Sequence, residues 1–244
     1  MDSCDRTPLL WAAMAGHEAV VRLLLLKTGK VDVDSRDRDG VTPLSAAVRH
    51  GHEAVVKLLF DAGKVDVNSR DREGKTPLWR AVLGGRTGVL RLLLDTGMVD
   101  VNSGNQDGTT PLWLAVTMAF SNGHTDIVRL LLDTGMADVN SKPPNSLTPL
   151  MNAVMGGRAD IVKLLLDTGM ADVNSKPPNS LKPLMNAVMG GRADIVKLLL
   201  DTGKIDINYV SQDRLTPLAA ARLGGHTDIM RLLSQPPSHP SPSV

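Results

Sequence analysis

Apolar residues fall in two alternating patterns along this chain, and the pair of patterns repeats. The stretch TPLSAAVRHG from Thr42 places small and aliphatic residues through one short segment that stops at Gly51. The stretch HEAVVKLLFDAG from His52 follows, with Val55, Val56, Leu58, Leu59 and Phe60 grouped on one broad face before Gly63. Both patterns predict short amphipathic helices. Threonine accepts a hydrogen bond from a helix N-terminal N–H, proline fits the first helical position, and glycine readily takes the left-handed conformation that ends a helix. The connecting stretch KVDVNSRDREGK is polar and rich in turn formers.

The frame recurs along nearly the whole sequence. Thr-Pro-Leu starts at Thr7, Thr42, Thr76, Thr110, Thr148 and Thr216, and a Lys-Pro-Leu variant starts at Lys182. The spacings are 35, 34, 34, 38, 34 and 34 residues. A helix pair this short cannot cover its own apolar face, so each unit must stack on its neighbours. The expectation is an all-α solenoid of seven units over residues 1–234, followed by a disordered Pro/Ser-rich tail at 235–244. Pairs such as Gly84-Gly85 and Gly156-Gly157 close first helices and are not phosphate loops.

With its register kept seven times, the unit G-x-TPL-x-x-A-[AV]-x-x-GH-x-x-[IV]-V-x-LLL-x-x-G-x-x-DVN resembles the ankyrin repeat. The phrase LLLDTGKVDVNSRDxxGxTPL is similar to the long ankyrin arrays of filamentous fungi. The resemblance implies two antiparallel helices per unit, an outstretched hairpin-like finger, and a concave groove where partner proteins bind. It also implies a Gly-His position, here His17, His52, His124 and His226, whose imidazole bonds backbone between helices.

Several positions depart from that pattern. Units are 34 residues long because one residue is added between Gly63 and the DVN of the finger base. The first unit has one more near Leu26 and Lys27, and the fourth has four more within Thr117 to Asn122. The histidine usual after Thr-Pro-Leu is replaced by Leu10, Ser45, Trp79, Trp113, Met151, Met185 and Ala219, so apolar packing is expected to replace the threonine–histidine bond. The fifth and sixth fingers carry Pro143-Pro144 and Pro177-Pro178, which lack N–H donors and should be stiffer. Residues 141–174 and 175–208 differ only at Thr148/Lys182, Met170/Lys204, Ala171/Ile205 and Val173/Ile207, as a recent duplication would leave them. No finger is expected before Thr7, and the apolar first helices suggest a piece of a longer array, an end covered by a partner, or self-association.

Composition narrows the function. The 27 Lys and Arg residues are nearly matched by 26 Asp and Glu, so no whole-chain field draws in nucleic acid or anionic membrane. In the second and third fingers Arg36, Arg38, Arg70 and Arg72 alternate with Asp37, Asp39, Asp71 and Glu73, and phosphate binding needs uncompensated cations. Cys4 is the only cysteine, acidic residues occupy the place of a signal peptide's basic segment, and no apolar run approaches a membrane span. An intracellular protein, cytoplasmic or nuclear, is expected.

Candidate chemistry is sparse. His50 and His52 beside Glu53 fall short of a four-ligand zinc set, and Cys4 has no base or orienting acid nearby. Asp66, Asp100, Asp138, Asp172 and Asp206 recur with the repeat and read as turn residues. The expectation is a protein that is not an enzyme, with no cofactor, metal, nucleic acid, membrane or small-molecule substrate, and with one kind of partner, another protein.

By the resemblance, partner contacts fall at the fingertips and at the ends of the first helices. These positions hold Arg36, Arg38, Arg70 and Arg72, then Arg49, His50, Leu83, Met118, Phe120, Met155, Met189 and Leu223, flanked by Trp79 and Trp113. Exposed contiguous apolar surface marks interaction sites, and methionine adapts its shape to a partner. Three roles fit: a scaffold or adaptor, a regulatory co-factor or inhibitor masking one client, and a sensor or spacer array within a larger signalling protein.

Overall fold

The structure, a computed structural model, describes residues 2–28, 31–176 and 180–234; the side chains of 27–28 and 120–122 lie outside that description. The expected tail and Pro177, Pro178 and Asn179 also fall outside the described residues.

Each Thr-Pro-Leu starts a helix, and each is followed by a second helix. The pairs are α1 (Pro8–Met14) and α2 (Glu18–Thr28), α3 (Pro43–His50) and α4 (Glu53–Asp61), α5 (Pro77–Leu83) and α6 (Thr87–Asp95), and α7 (Pro111–Asn122) and α8 (Thr125–Asp133). Then come α9 (Pro149–Gly156) and α10 (Ala159–Asp167), α11 (Pro183–Met189) and α12 (Ala193–Asp201), and α13 (Pro217–Leu223) and α14 (Thr227–Ser234). Among the described residues there is no strand. The four added residues of the fourth repeat lengthen its first helix to 12 residues.

The chain divides into two units, one holding residues 1–118 and 126–137, the other 119–125 and 138–244. In the first, α1 packs on α3 and α3 on α5, while α2 packs on α4 and α4 on α6. In the second, α9, α11 and α13 form one layer and α10, α12 and α14 another. Helices of seven to nine residues are too short to persist alone in water, where about 12–15 are needed even for good helix formers. Burial holds them. Leu44, Val56, Leu59, Leu78 and Leu90 in the first unit and Leu184, Val196 and Leu199 in the second are fully or almost fully enclosed. Each such side chain contributes roughly 1.5–3 kcal/mol.

A polar residue latches successive repeats. His52 Nε2 lies 3.1 Å from the Met14 carbonyl, to which the ring N–H donates. Arginine does the same work where histidine is missing: Arg86 donates to the Arg49 carbonyl at 3.4 Å, Arg192 to that of Val154 at 3.3 Å, and Arg158 to that of Ala119. The latch crosses a tight passage. A Cβ on Gly16 would stand 2.6 Å from the His52 ring, and one on Gly157 would collide with the Arg192 guanidinium.

The N-cap threonines accept as expected, Thr76 from the Trp79 N–H at 3.2 Å and Thr148 from the Met151 N–H at 3.3 Å. In the first two repeats a polar contact is added where the histidine is missing. There the threonine hydroxyl meets a serine at the next finger base, Thr7 with Ser35 at 3.0 Å and Thr42 with Ser69 at 3.2 Å. In the first repeat this contact accompanies apolar filling by buried Leu10, and in the second the position itself holds polar Ser45.

Fingertips are turns closed on an Asp or Asn. The Asp37 carboxylate accepts from the Asp39 and Val41 N–H groups, each at 2.9 Å, while Gly40 takes positive φ. Neighbouring tips join by single rungs, Arg72 N–H to the Asp39 carbonyl at 2.8 Å and Gln106 N–H to that of Glu73 at 3.0 Å. The expectation of no finger before Thr7 is corrected. Asp2 accepts from the Cys4 and Arg6 N–H groups, Asp5 takes the left-handed conformation, and Arg38 N–H donates to the Cys4 carbonyl at 3.0 Å. Residues 2–6 therefore form a fingertip. In the fifth finger Ser146 N–H closes on the Pro143 carbonyl at 3.1 Å with Asn145 left-handed, and Pro144 stands at the rung position without an N–H to offer.

Finger bases carry a ladder of asparagines. Asn68 donates to the Met98 carbonyl at 2.9 Å and accepts from the Asp100 N–H at 2.8 Å; Asn174 donates to the Lys204 carbonyl at 2.8 Å and accepts from the Asp206 N–H at 3.0 Å. The first repeat has Asp34 at this place. Its carboxylate accepts from the Asp66 N–H at 3.0 Å but has no proton for the carbonyl an asparagine would reach. Burial raises the Asp34 carboxyl above its ordinary 3.8, against the lowering effect of the Asp66 N–H. A raised folded pKa favours the fold only while the group is protonated, and that contribution is lost as pH rises through the folded value. Asp34→Asn is accordingly expected to stabilise by about 1 kcal/mol near neutral pH and by less below pH 3.8, measured by urea unfolding at both. An equal gain in acid would refute the ladder argument.

The near-identical fifth and sixth repeats supply a second prediction. Thr148 caps its helix, whereas Lys182 makes no side-chain cap bond and instead pairs with Asp206 at 2.8 Å. Thr148→Ala should cost about 1 kcal/mol and Lys182→Ala about half of that or less, read from denaturation midpoints.

Candidate interaction surface

Sequence-predicted contact residues separate into those the fold consumes and those it leaves outside. Trp79 is consumed. It is 5% exposed, its indole N–H donates to the Thr109 carbonyl at 3.0 Å, and the Lys75 ammonium sits 4.9 Å from its ring centroid. It is a core residue that fills the space of the missing histidine, and it is withdrawn from the partner surface. Trp113 and Met118 are half-buried. Phe120 lies among the residues whose side chains are not described.

Two finger arginines are also committed internally. Arg36 donates to the Arg70 carbonyl at 2.6 Å, and Arg70 donates to the Gly104 carbonyl at 2.8 Å and to the Ser103 hydroxyl. They staple one finger base to the next, a use invisible to spacing because it depends on the stacking distance. Arg38 is exposed and pairs with Asp5 at 3.1 Å, and the Arg72 side chain is exposed. The fingertip acids do not serve as simple counter-charges to these arginines. Asp37 and Asp71 are buried, Asp37 lying 3.5 Å from Arg6 and Asp71 paired with Arg80 of α5. Sequence reading missed Arg80, whose signal was a lone cation among the small and apolar residues of a first helix.

At the ends of the first helices the first unit presents Arg49, His50 and Leu83, all exposed. His50 stacks on His52 with ring centroids 6.0 Å apart. Burial, then the charges of Arg49, His52 and Arg86, hold the His50 imidazole below its ordinary 6.5, so it is neutral at physiological pH. The second unit presents Met155, Met189 and Leu223 at the same position of three successive repeats, with exposures of 51%, 59% and 76%. Leu150, Met151, Leu184 and Met185 are buried beneath, on the same helices. Nothing in the packing requires the exposed three to be apolar.

Among the described residues, no group of three or more His, Cys, Asp or Glu side chains is placed to hold a metal ion, and no helix is long and apolar enough to cross a membrane. Geometry and residue types together define a helical repeat protein with an apolar, adaptable face. The family model for ankyrin repeats (3 copies) matches residues 1–71, 63–142, 115–177 and 170–241, and the chain belongs to the ankyrin-repeat family. Ankyrin domains are in general protein-interaction modules. No curated protein sequence gives a significant match. Among solved structures, the chain is similar to the ankyrin repeat domain of Bcl-3, described as a unique member of the IkappaB protein family, with 30% identity and a TM-score of 0.78 over 96% of this chain and 100% of that one. It is also similar to the human ASB11 ankyrin repeat domain, with 27% identity and a TM-score of 0.66 over 96% and 100%.

The division between consumed and exposed residues predicts opposite responses in one helix. Trp79→Ala should cost about 3–5 kcal/mol, and Leu83→Ala should stay within about 0.5 kcal/mol of wild type, both measured by urea denaturation.

Proposed function

We propose that this chain is a non-catalytic scaffold that holds another protein against the exposed ends of its first helices. The observation that carries the reading is the row Met155, Met189 and Leu223, apolar and exposed at one repeat position where the fold asks for no apolar side chain. Methionine side chains are flexible and polarisable and mould to an apolar partner surface, whether a helix or an extended peptide. The first unit has its own apolar residue at this repeat position, Leu83, and exposed cations at Arg49, Arg38 and Arg72 suited to acidic residues of a partner. The compartment that goes with this reading is the cytoplasm or the nucleus.

The test is an affinity pull-down from the native host read by mass spectrometry, comparing wild type with the Met155→Glu, Met189→Glu variant after circular dichroism shows equal helicity. A partner retained by wild type should be recovered at roughly a tenth or less of its level with the variant, since a loss of about 1.4 kcal/mol is tenfold in affinity. Equal recovery of the same partners by both forms would remove this face from the function. Several clients lost together identify an adaptor, and a single client identifies a dedicated co-regulator.

A further inference from the structure

We propose that a second copy of this chain docks head to tail on the face of the first repeat that points away from α3, its seventh repeat taking the place that a preceding repeat takes elsewhere. The argument begins with what stacking buries. The valine or isoleucine near the start of each second helix is covered by the preceding repeat. Val55 and Val89 in the first unit and Ile195 and Ile229 in the second are each 1% exposed or less. The first-helix prolines Pro43, Pro77, Pro183 and Pro217 are buried as well. In the first repeat the same positions are open: Val20 is 44% exposed and Pro8 is exposed.

The polar half of this interface is also present and unengaged. His17 stands at the latch position that His52 uses on Met14, yet it is exposed, and among the described residues its imidazole makes no hydrogen bond. Trp11 lies on the same face. Asp2 accepts from its indole N–H at 3.0 Å, and the Arg6 guanidinium lies 5.0 Å from its ring centroid. The ring is thus held in place before any partner arrives, which lowers the entropic cost of docking.

The matching surface belongs to the same chain. In α13 and α14, Leu218, Ala219, Met230 and Leu233 are partly exposed, whereas their counterparts one repeat earlier, Leu184, Met185, Val196 and Leu199, are buried. Within a stack, the residue after the Thr-Pro-Leu triplet faces the next repeat, and the residue following it faces the previous one, as the Asn186 amide 3.6 Å from the Met151 sulfur shows. On these faces Ala219 of one copy is brought opposite Trp11 of the other. Ala219 is the smallest apolar residue at its position in the seven repeats, and it lines an open hollow of about 410 Å³ with Leu215, Thr216, Leu218, Arg222 and Leu223. The bulkiest residue of one face meets the emptiest place of the other, and His17 is brought to the Leu223 carbonyl, the counterpart of Met14.

Such a contact joins two different surfaces, so each pairing leaves one face of either kind free for a further copy. Sedimentation velocity across a wide concentration range tests it. Wild type should rise from the 26.1 kDa of one chain to beyond twice that mass. Trp11→Glu and Ala219→Arg should each remain monomeric alone. Mixed, they should form a dimer that grows no further, because one supplies the intact hollow and the other the intact tryptophan. Trp11→Ala, a milder change at an exposed site, should weaken self-association at least about tenfold with helicity unchanged. A wild type that stays monomeric at every concentration, or a mixture that never pairs, overturns the proposal. The two surfaces share Leu223, so the Met155→Glu, Met189→Glu variant tells them apart: it should lose partner capture and still self-associate, whereas Trp11→Glu should lose self-association and keep partner capture.

Discussion

A pair of helices of seven and nine residues has more apolar face than it can hide. Everything else follows from the way neighbours cover that face. Leu59, Leu90 and Leu199 are enclosed only because another repeat stands beside them. Stability is therefore a sum of contacts between neighbours, and any repeat lacking one keeps an unmet apolar surface. Val20 and Pro8 are that unmet surface.

Polar groups set the spacing that apolar contact leaves undefined. The latch from His52, Arg86 or Arg192 to a carbonyl of the preceding repeat, the asparagine ladder and the single rungs between fingertips all bridge equivalent points of adjacent repeats. Each bond contributes modestly, but apolar surfaces slide and directional bonds do not. Histidine and arginine serve alike at the latch because the task is only to bring an N–H to a carbonyl across a passage kept open by glycine. Aspartate cannot replace asparagine in the ladder on equal terms, because the ladder needs a donor and an acceptor on one side chain.

Once helices and finger bases have used their groups internally, few side chains remain for a partner. The row Met155, Met189 and Leu223 is what the second unit leaves over. As the proposed partner surface it would have the advantage of lying outside the stack: Met155 and Met189 sit one turn beyond buried Met151 and Met185. The finger arginines illustrate the opposite case, since Arg36 and Arg70 look like free cations and are structural staples.

The fold was legible in the residues themselves. Thr-Pro-Leu, the closing glycines and the 34-residue period are local signals, each dictated by backbone geometry within one repeat, and the exposed methionines stand where that period places them. Other features depend on contacts between residues some 30 positions apart, which no local pattern encodes. Tertiary structure decided that Trp79 is core, that Asp71 pairs with Arg80, that Thr7 and Thr42 bond serines, and that residues 2–6 make a fingertip from a sequence without its usual glycine. Period and capping determined the helices of each repeat; the distance between stacked repeats determined which side chains are spent inside and which remain exposed.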